Sequence, residues 1–102
     1  MIKIDYEMAN GRIISLIAQG HANYSEQGTD IVCSAVSGIL LGGLNALQEQ
    51  DKFSIQTEDG YVSIKVNKQI NEHDNIVLET LLAQLKSVQT NYKKFIQIKR
   101  KE

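Results

Sequence analysis

Two Asx-Gly pairs, Asn10-Gly11 and Asp59-Gly60, each sit between short stretches of alternating apolar residues, and together they commit much of the chain to two β-hairpins. The favoured two-residue hairpin turn needs positive φ at its central positions, which Asn, Asp and Gly tolerate. Before the first turn Ile2, Ile4, Tyr6 and Met8 alternate with Lys3, Asp5 and Glu7, and after it Ile13 to Ala18 resumes an apolar run. Residues 2–19 therefore read as one hairpin. Phe53 to Thr57 and Tyr61 to Val66 flank the second turn, with Val62, Ile64 and Val66 on one face, and Ile96 and Ile98 predict a short final strand.

Helices fill the remaining spaces. Asp30 is placed to N-cap a helix running to about Gln50. Its apolar run, Ile31 to Leu47, is interrupted by Ser34, Ser37 and Asn45 and falls short of the roughly 20 residues of a membrane span, so it reads as a buried helix. Gly38, Gly42 and Gly43 each cost this helix up to about 1 kcal/mol of propensity relative to alanine. Close packing between the sheet and a second layer, either the other helix or a partner subunit, is expected to offset that cost. A second helix from about Asn71 to Tyr92 puts Leu78, Leu81, Leu82, Leu85, Val88 and Tyr92 on one stripe, and His73 at its start reads as a surface residue.

The order β-β-α-β-β-α-β, without proline or internal repeats, predicts an α+β fold: a single-domain α/β sandwich over residues 1–102, with two antiparallel hairpins and two helices. Strand order stays open. At 102 residues there is room for one core, and folding should remove roughly two-thirds of the unfolded chain's surface from water. Eleven basic and twelve acidic residues leave a net charge of −1, so no bulk field draws the protein to nucleic acid or anionic lipid. The local excess at Lys93, Lys94, Lys99, Arg100 and Lys101 reads as a solvated end rather than an RNA contact. No tripartite export signal opens the chain, and a cytoplasmic protein is expected.

The chemistry concentrates between residues 20 and 37. His21 leaves the end of a predicted strand, and Cys33, the only cysteine, falls in the first turn of the following helix. Strand-loop-helix junctions of this kind bring a strand's last residue near the helix N-terminus, whose positive dipole end favours an anion. A thiolate there, with an imidazole to take its proton, is the material of a cysteine nucleophile. Asp30 either orients His21 or only caps the helix. The competing readings are a noncatalytic module with Cys33 as a small buried hydrophobe, and a metal site on His21, Asp30 and Cys33 that lacks the close paired spacing of structural zinc. Backbone N–H groups at the helix start are expected to hold an oxyanion. The loop from Ala22 to Thr29 is polar and expected to be mobile and to close over bound substrate, with Gly20 and Gly28 as candidate hinges.

Gly20-His21-Ala22, then Gly28, then Asp30-Ile31-Val32-Cys33-Ser34-Ala35-Val36-Ser37, with the leading hairpin and the Gly-rich helix, resembles the ribosomal-processing cysteine protease family, Prp. The resemblance spans the chain in length and element order, and its specific part runs from Gly20 to Ser37. It implies an endopeptidase that removes a short N-terminal extension from the large-subunit ribosomal protein L-twenty-seven, cutting after an aromatic pair. It further implies a homodimer that uses no metal or cofactor, needs no nucleic acid and binds no membrane. Cys33 then corresponds to the nucleophile, His21 to the base and Asp30 to the family's aspartate. Ser34, Ser37 and Gly28 are candidate substrate contacts. A noncatalytic module that binds a ribosomal protein or assembly intermediate is the alternative function, and Tyr24, Ile31 and Leu41 are candidates for an apolar subsite.

Overall fold

The computed structural model describes residues 1–25 and 30–101. Both Asx-Gly turns form, with φ of 53° at Asn10, 76° at Gly11 and 71° at Gly60. They close the hairpins β1 (Ile2–Ala9) with β2 (Arg12–Gln19) and β3 (Phe53–Glu58) with β4 (Tyr61–Val66). Between the hairpins lies α1 (Ile31–Ala46), and α2 (Glu72–Asn91) leads into β5 (Ile96–Lys101). The element order is the expected β-β-α-β-β-α-β.

The strand order, open in the sequence, is β3-β4-β2-β1-β5. Antiparallel pairing of β2 with β4 joins the two hairpins into one sheet, and β5 adds in parallel beside β1. Alternation along β1 buries Ile2, Ile4 and Tyr6 while Lys3 and Glu7 stay exposed, so one face of the sheet meets the helices and the other is polar. Ile4, Leu16, Leu40, Ile64, Leu78 and Leu85 are almost completely buried in the layer between, each worth about 1.5–3 kcal/mol of transfer out of water. On β5, Lys99 and Lys101 stand opposite Asp5 and Glu7 of β1, so the C-terminal basic run is an exposed, partly charge-matched strand face. Among the described residues, no helix is long and apolar enough to cross a membrane.

Helix α1 is shorter than expected. It stops at Ala46 rather than near Gln50 because Leu47 turns to extended backbone, with φ −65° and ψ 133°. The Gln50 side chain then caps the carbonyls of Leu44 and Leu47 at 2.9 and 3.1 Å. Beyond it, the backbone N–H groups of Gln48 and Glu49 donate to the buried carboxylate of Asp74 at 2.8 and 2.9 Å. Helix α2 keeps the expected span within a residue at each end, with Asn71 as its N-cap.

The glycines of α1 divide by what they face. A Cβ at Gly43 would lie 2.6 Å from the Leu81 Cδ2 atom, so Gly43 is where α1 closes on α2. Gly38 and Gly42 have nothing within 4 Å of such a Cβ and lie on an open face. The helix–helix contact therefore accounts for one glycine of the three.

Asp74 is fully buried, and its Oδ1 also meets His73 Nδ1 at 2.9 Å, leaving the His73 ring itself half exposed at the surface. Burial alone would raise the Asp74 pKa. The N–H groups of Gln48 and Glu49 and the His73 ring outweigh burial and hold it below the ordinary 3.8. A depressed folded-state pKa gives stability that is complete above 3.8 and is lost as pH falls through the lower folded value. Asp74→Asn replaces one of the two accepting oxygens with an amide NH2, so one of the Gln48 and Glu49 N–H groups loses its acceptor, and should cost about 1.5–3 kcal/mol at neutral pH. Chemical denaturation at a series of pH values should show that loss shrinking below 3.8.

Candidate active site

The chain leaves β2 through Gly20 and His21, and α1 begins after its N-cap Asp30, so the end of a central strand and the start of α1 face each other. The Ala22 N–H donates to the Cys33 sulfur at 3.3 Å. Cys33 itself is half-buried on the first turn of α1, with its inner side against the core.

Asp30 ties the two sides together. Its Oδ1 accepts the N–H groups of Val32 and Cys33 at 2.9 and 3.1 Å, and its Oδ2 accepts those of Tyr24 and Ser25 at 2.8 and 3.3 Å. Of the two roles open in the sequence, the geometry is that of a helix cap that also clamps the loop. Among the described residues, no hydrogen bond runs from Asp30 to His21. Burial pushes the Asp30 pKa up, and the N–H donors of Cys33, Ser25, Tyr24 and Val32 more than reverse this, holding it below 3.8.

The same bonds change the expected oxyanion site. The N–H groups of Val32 and Cys33 are occupied by Asp30 Oδ1, and that of Ser34 donates to the Asp30 carbonyl at 3.0 Å. The start of the helix is thus engaged, while the loop N–H of Ala22 points at the sulfur. Sequence reasoning missed Ala22 because a backbone donor carries no side-chain signature.

His21, Asp30, Cys33 and Ser37 line one pocket of about 290 Å³, whose opposite wall is the turn between β3 and β4. The His21 carbonyl accepts the Met1 amino group at 2.6 Å, and its exposed imidazole lies against that turn. Among the described residues, no hydrogen bond joins the ring to the Cys33 sulfur. Ser34, by contrast, lines a separate groove of about 700 Å³ between α1 and α2. Helical spacing separates the two serines: Cys33, Val36, Ser37 and Leu40 share the pocket side, and Ser34, Ala35, Gly38 and Gly42 face the groove.

Gly28 lies outside the described residues, as do residues 26–29 of the loop expected to move. Tyr24 packs edge-on against Tyr92 and Phe95, with ring centroids 5.6 and 5.1 Å away, and Ile31 and Leu41 are about half exposed. These three candidates for an apolar subsite are not among the described residues that line the Cys33 pocket. His21, Asp30 and Cys33 form no metal-ligating group among the described residues.

A half-buried cysteine on the first turn of a helix, a backbone donor at its sulfur and an imidazole in the same pocket are the parts that a thiol hydrolase uses. The sequence profile described as Cysteine protease Prp matches residues 1–97. The Ribosomal processing cysteine protease Prp of Staphylococcus aureus is 28% identical, the match covering 96% of this chain and 97% of that protein. The protein of the same name from Mycoplasma genitalium is 39% identical over 81% of this chain and 84% of its own length. Among solved structures, the S. aureus protease with a covalently linked product peptide superposes with a TM-score of 0.90 at 29% identity, covering 99% of this chain and 100% of that one. The same protease with a substrate peptide gives 0.84 at 28% identity, covering 99% and 100%. The chain belongs to the Prp family of cysteine proteases, which act on peptide bonds.

Asp30→Ala removes the clamp on both loop and helix. The variant should melt below wild type at neutral pH, and the gap should close as both are acidified below 3.8, because the advantage of a depressed carboxylate is lost in that direction. Scanning fluorimetry from pH 7 to pH 3 measures both melting points.

Proposed function

We propose that this protease removes the N-terminal extension of the large-subunit ribosomal protein L-twenty-seven in the cytoplasm, cutting after a pair of aromatic residues, with Cys33 as nucleophile and His21 as general base. The observation that carries the reading is the Ala22 N–H aimed at Cys33 Sγ inside the pocket that His21 also lines. Relatives named ribosomal processing proteases, and solved structures of one with substrate and product peptides, support the substrate class.

In this reading His21 takes the thiol proton and the Cys33 sulfur attacks the scissile carbonyl, forming a C–S bond and an oxyanion. Charge has then left the sulfur, so the Ala22 N–H can turn to the adjacent oxygen. Collapse of the adduct breaks the C–N bond as the His21 imidazolium gives its proton to the leaving amine. Water, deprotonated by His21, attacks the thioester, and the C–S bond breaks to return the thiolate. Asp30 positions both Cys33 and the loop through backbone N–H groups. Ser37 and Gly28 are proposed substrate contacts. Ser34 faces the helix groove, so any contact it makes with substrate would be made there.

Incubating a peptide that spans the extension with wild type and with Cys33→Ala, read by mass spectrometry, tests the reading. Wild type should cut after the aromatic pair, and Cys33→Ala should be slower by at least about 10³-fold with an unchanged circular dichroism spectrum. Binding of the peptide without cleavage by either protein would support a noncatalytic module instead.

We also propose that the protease is a homodimer joined through the groove between α1 and α2. Open Gly38 and Gly42 there adjoin Ile76, which is 51% exposed, and Leu41, 49% exposed, stands on the outward side of α1. Small residues beside exposed apolar ones allow close approach by a second copy. Wild type should sediment as a dimer and Gly42→Glu as a monomer. A monomeric wild type at micromolar concentration would refute the assignment.

A further inference from the structure

The turn between β3 and β4 does more than connect two strands. Register pairing of Gln19 with Tyr61 sets this turn beside the residues that follow β2. The Gly20 N–H then donates to the Gly60 carbonyl at 2.9 Å. One residue on, the His21 ring rests on Gly60: a Cβ there would lie 2.8 Å from Nε2, 3.2 Å from Cε1 and 3.5 Å from Cδ2. Carbon and nitrogen cannot approach to 2.8 Å without one of them moving, so the ring occupies space that only a glycine leaves open.

We propose that Gly60 is a positioning residue for the reaction, a seat that holds the His21 imidazole in the Cys33 pocket; the inference rests on the reading of His21 as the base. The His21 backbone is held at its carbonyl by the Met1 amino group, at 2.6 Å, and through its neighbour Gly20 by the Gly60 carbonyl. Rotation of the side chain is the freedom that remains. Gly60 bounds that rotation on one side of the pocket, and the other side of the ring is open to solvent. Any side chain at position 60 displaces the ring from the position it holds in the pocket.

The fold supplies its own control. Gly60 has φ 71° and Gly11, in the first hairpin, has φ 76°, so an L-residue meets similar backbone strain at both. At Gly11 nothing lies within 4 Å of an added Cβ. Comparing Gly60→Ala with Gly11→Ala therefore isolates the contact with His21 from the cost of the turn. Gly60→Asn and Gly11→Asn repeat the comparison with a residue that enters the left-handed region more readily, which keeps the test usable if Gly60→Ala does not fold.

Cleavage kinetics on the extension peptide and the ring resonances of His21 by NMR are the readouts. Both position-11 variants should keep wild-type kcat. Both position-60 variants should lose about 10–100-fold in kcat with KM within about twofold, the signature of a displaced catalytic group, and should shift the His21 ring resonances. Position-60 variants with the kcat of their position-11 counterparts would overturn the inference and leave Gly60 as a turn residue only. If His21→Ala cleaves like wild type, the reading of His21 as base falls. That outcome is distinguishable, because the ring resonances in Gly60→Asn report the seat independently of turnover.

Discussion

Antiparallel pairing between β2 and β4, from Ser15 with Lys65 to Gln19 with Tyr61, is the contact on which the remaining architecture depends. Without it the chain is two hairpins, each with an unpaired edge and too small to bury a face alone. With it there is one sheet, whose helix-facing side carries Leu16 and Ile64 into a common core. The pairing also has a chemical consequence: it delivers the β3–β4 turn to the far wall of the pocket that holds His21 and Cys33. Sheet assembly and site assembly are thus the same event.

Two buried carboxylates, Asp30 and Asp74, solve related problems at the start of the two helices. Each is placed where backbone N–H groups have no helical partner, and each collects donors from a second segment: Asp30 from Tyr24 and Ser25, Asp74 from Gln48 and Glu49. Burial opposes ionisation in both, and backbone donors win because several point at one group. The outcome differs in use. Asp74 joins the end of α1 to the start of α2, a purely structural link. Asp30 fixes the loop that carries the Ala22 N–H relative to the helix that carries Cys33, so the geometry at the sulfur rests on the Asp30 carboxylate.

Much of the fold was legible along the chain. Both hairpins followed from Asx-Gly pairs and strand alternation, and α2 from its leucine stripe, because those signals arise between neighbours in sequence. The end of α1 was not legible: Ala46 is followed by further apolar and helix-favouring residues, and the helix stops because Gln48 and Glu49 are drawn to a carboxylate on α2. Membership of the Prp family was likewise readable in the block from Gly20 to Ser37, and the sequence comparisons support it over nearly the whole chain.

What the sequence by itself determined is a set of local elements and a pair of chemical groups, His21 and Cys33, at the two ends of one strand-loop-helix unit. Tertiary structure decided the rest. It gave both carboxylate oxygens of Asp30 backbone donors, one oxygen from the start of α1 and the other from the segment after β2. It sent Ser34 to the helix groove and Ser37 to the pocket, because α1 lies with one side on the sheet and another toward α2. It set Gly60 beneath the His21 ring, far along the chain, because β4 pairs with β2. These outcomes depend on strand order and helix packing, which are settled by the burial of whole faces and not by any stretch of neighbouring residues.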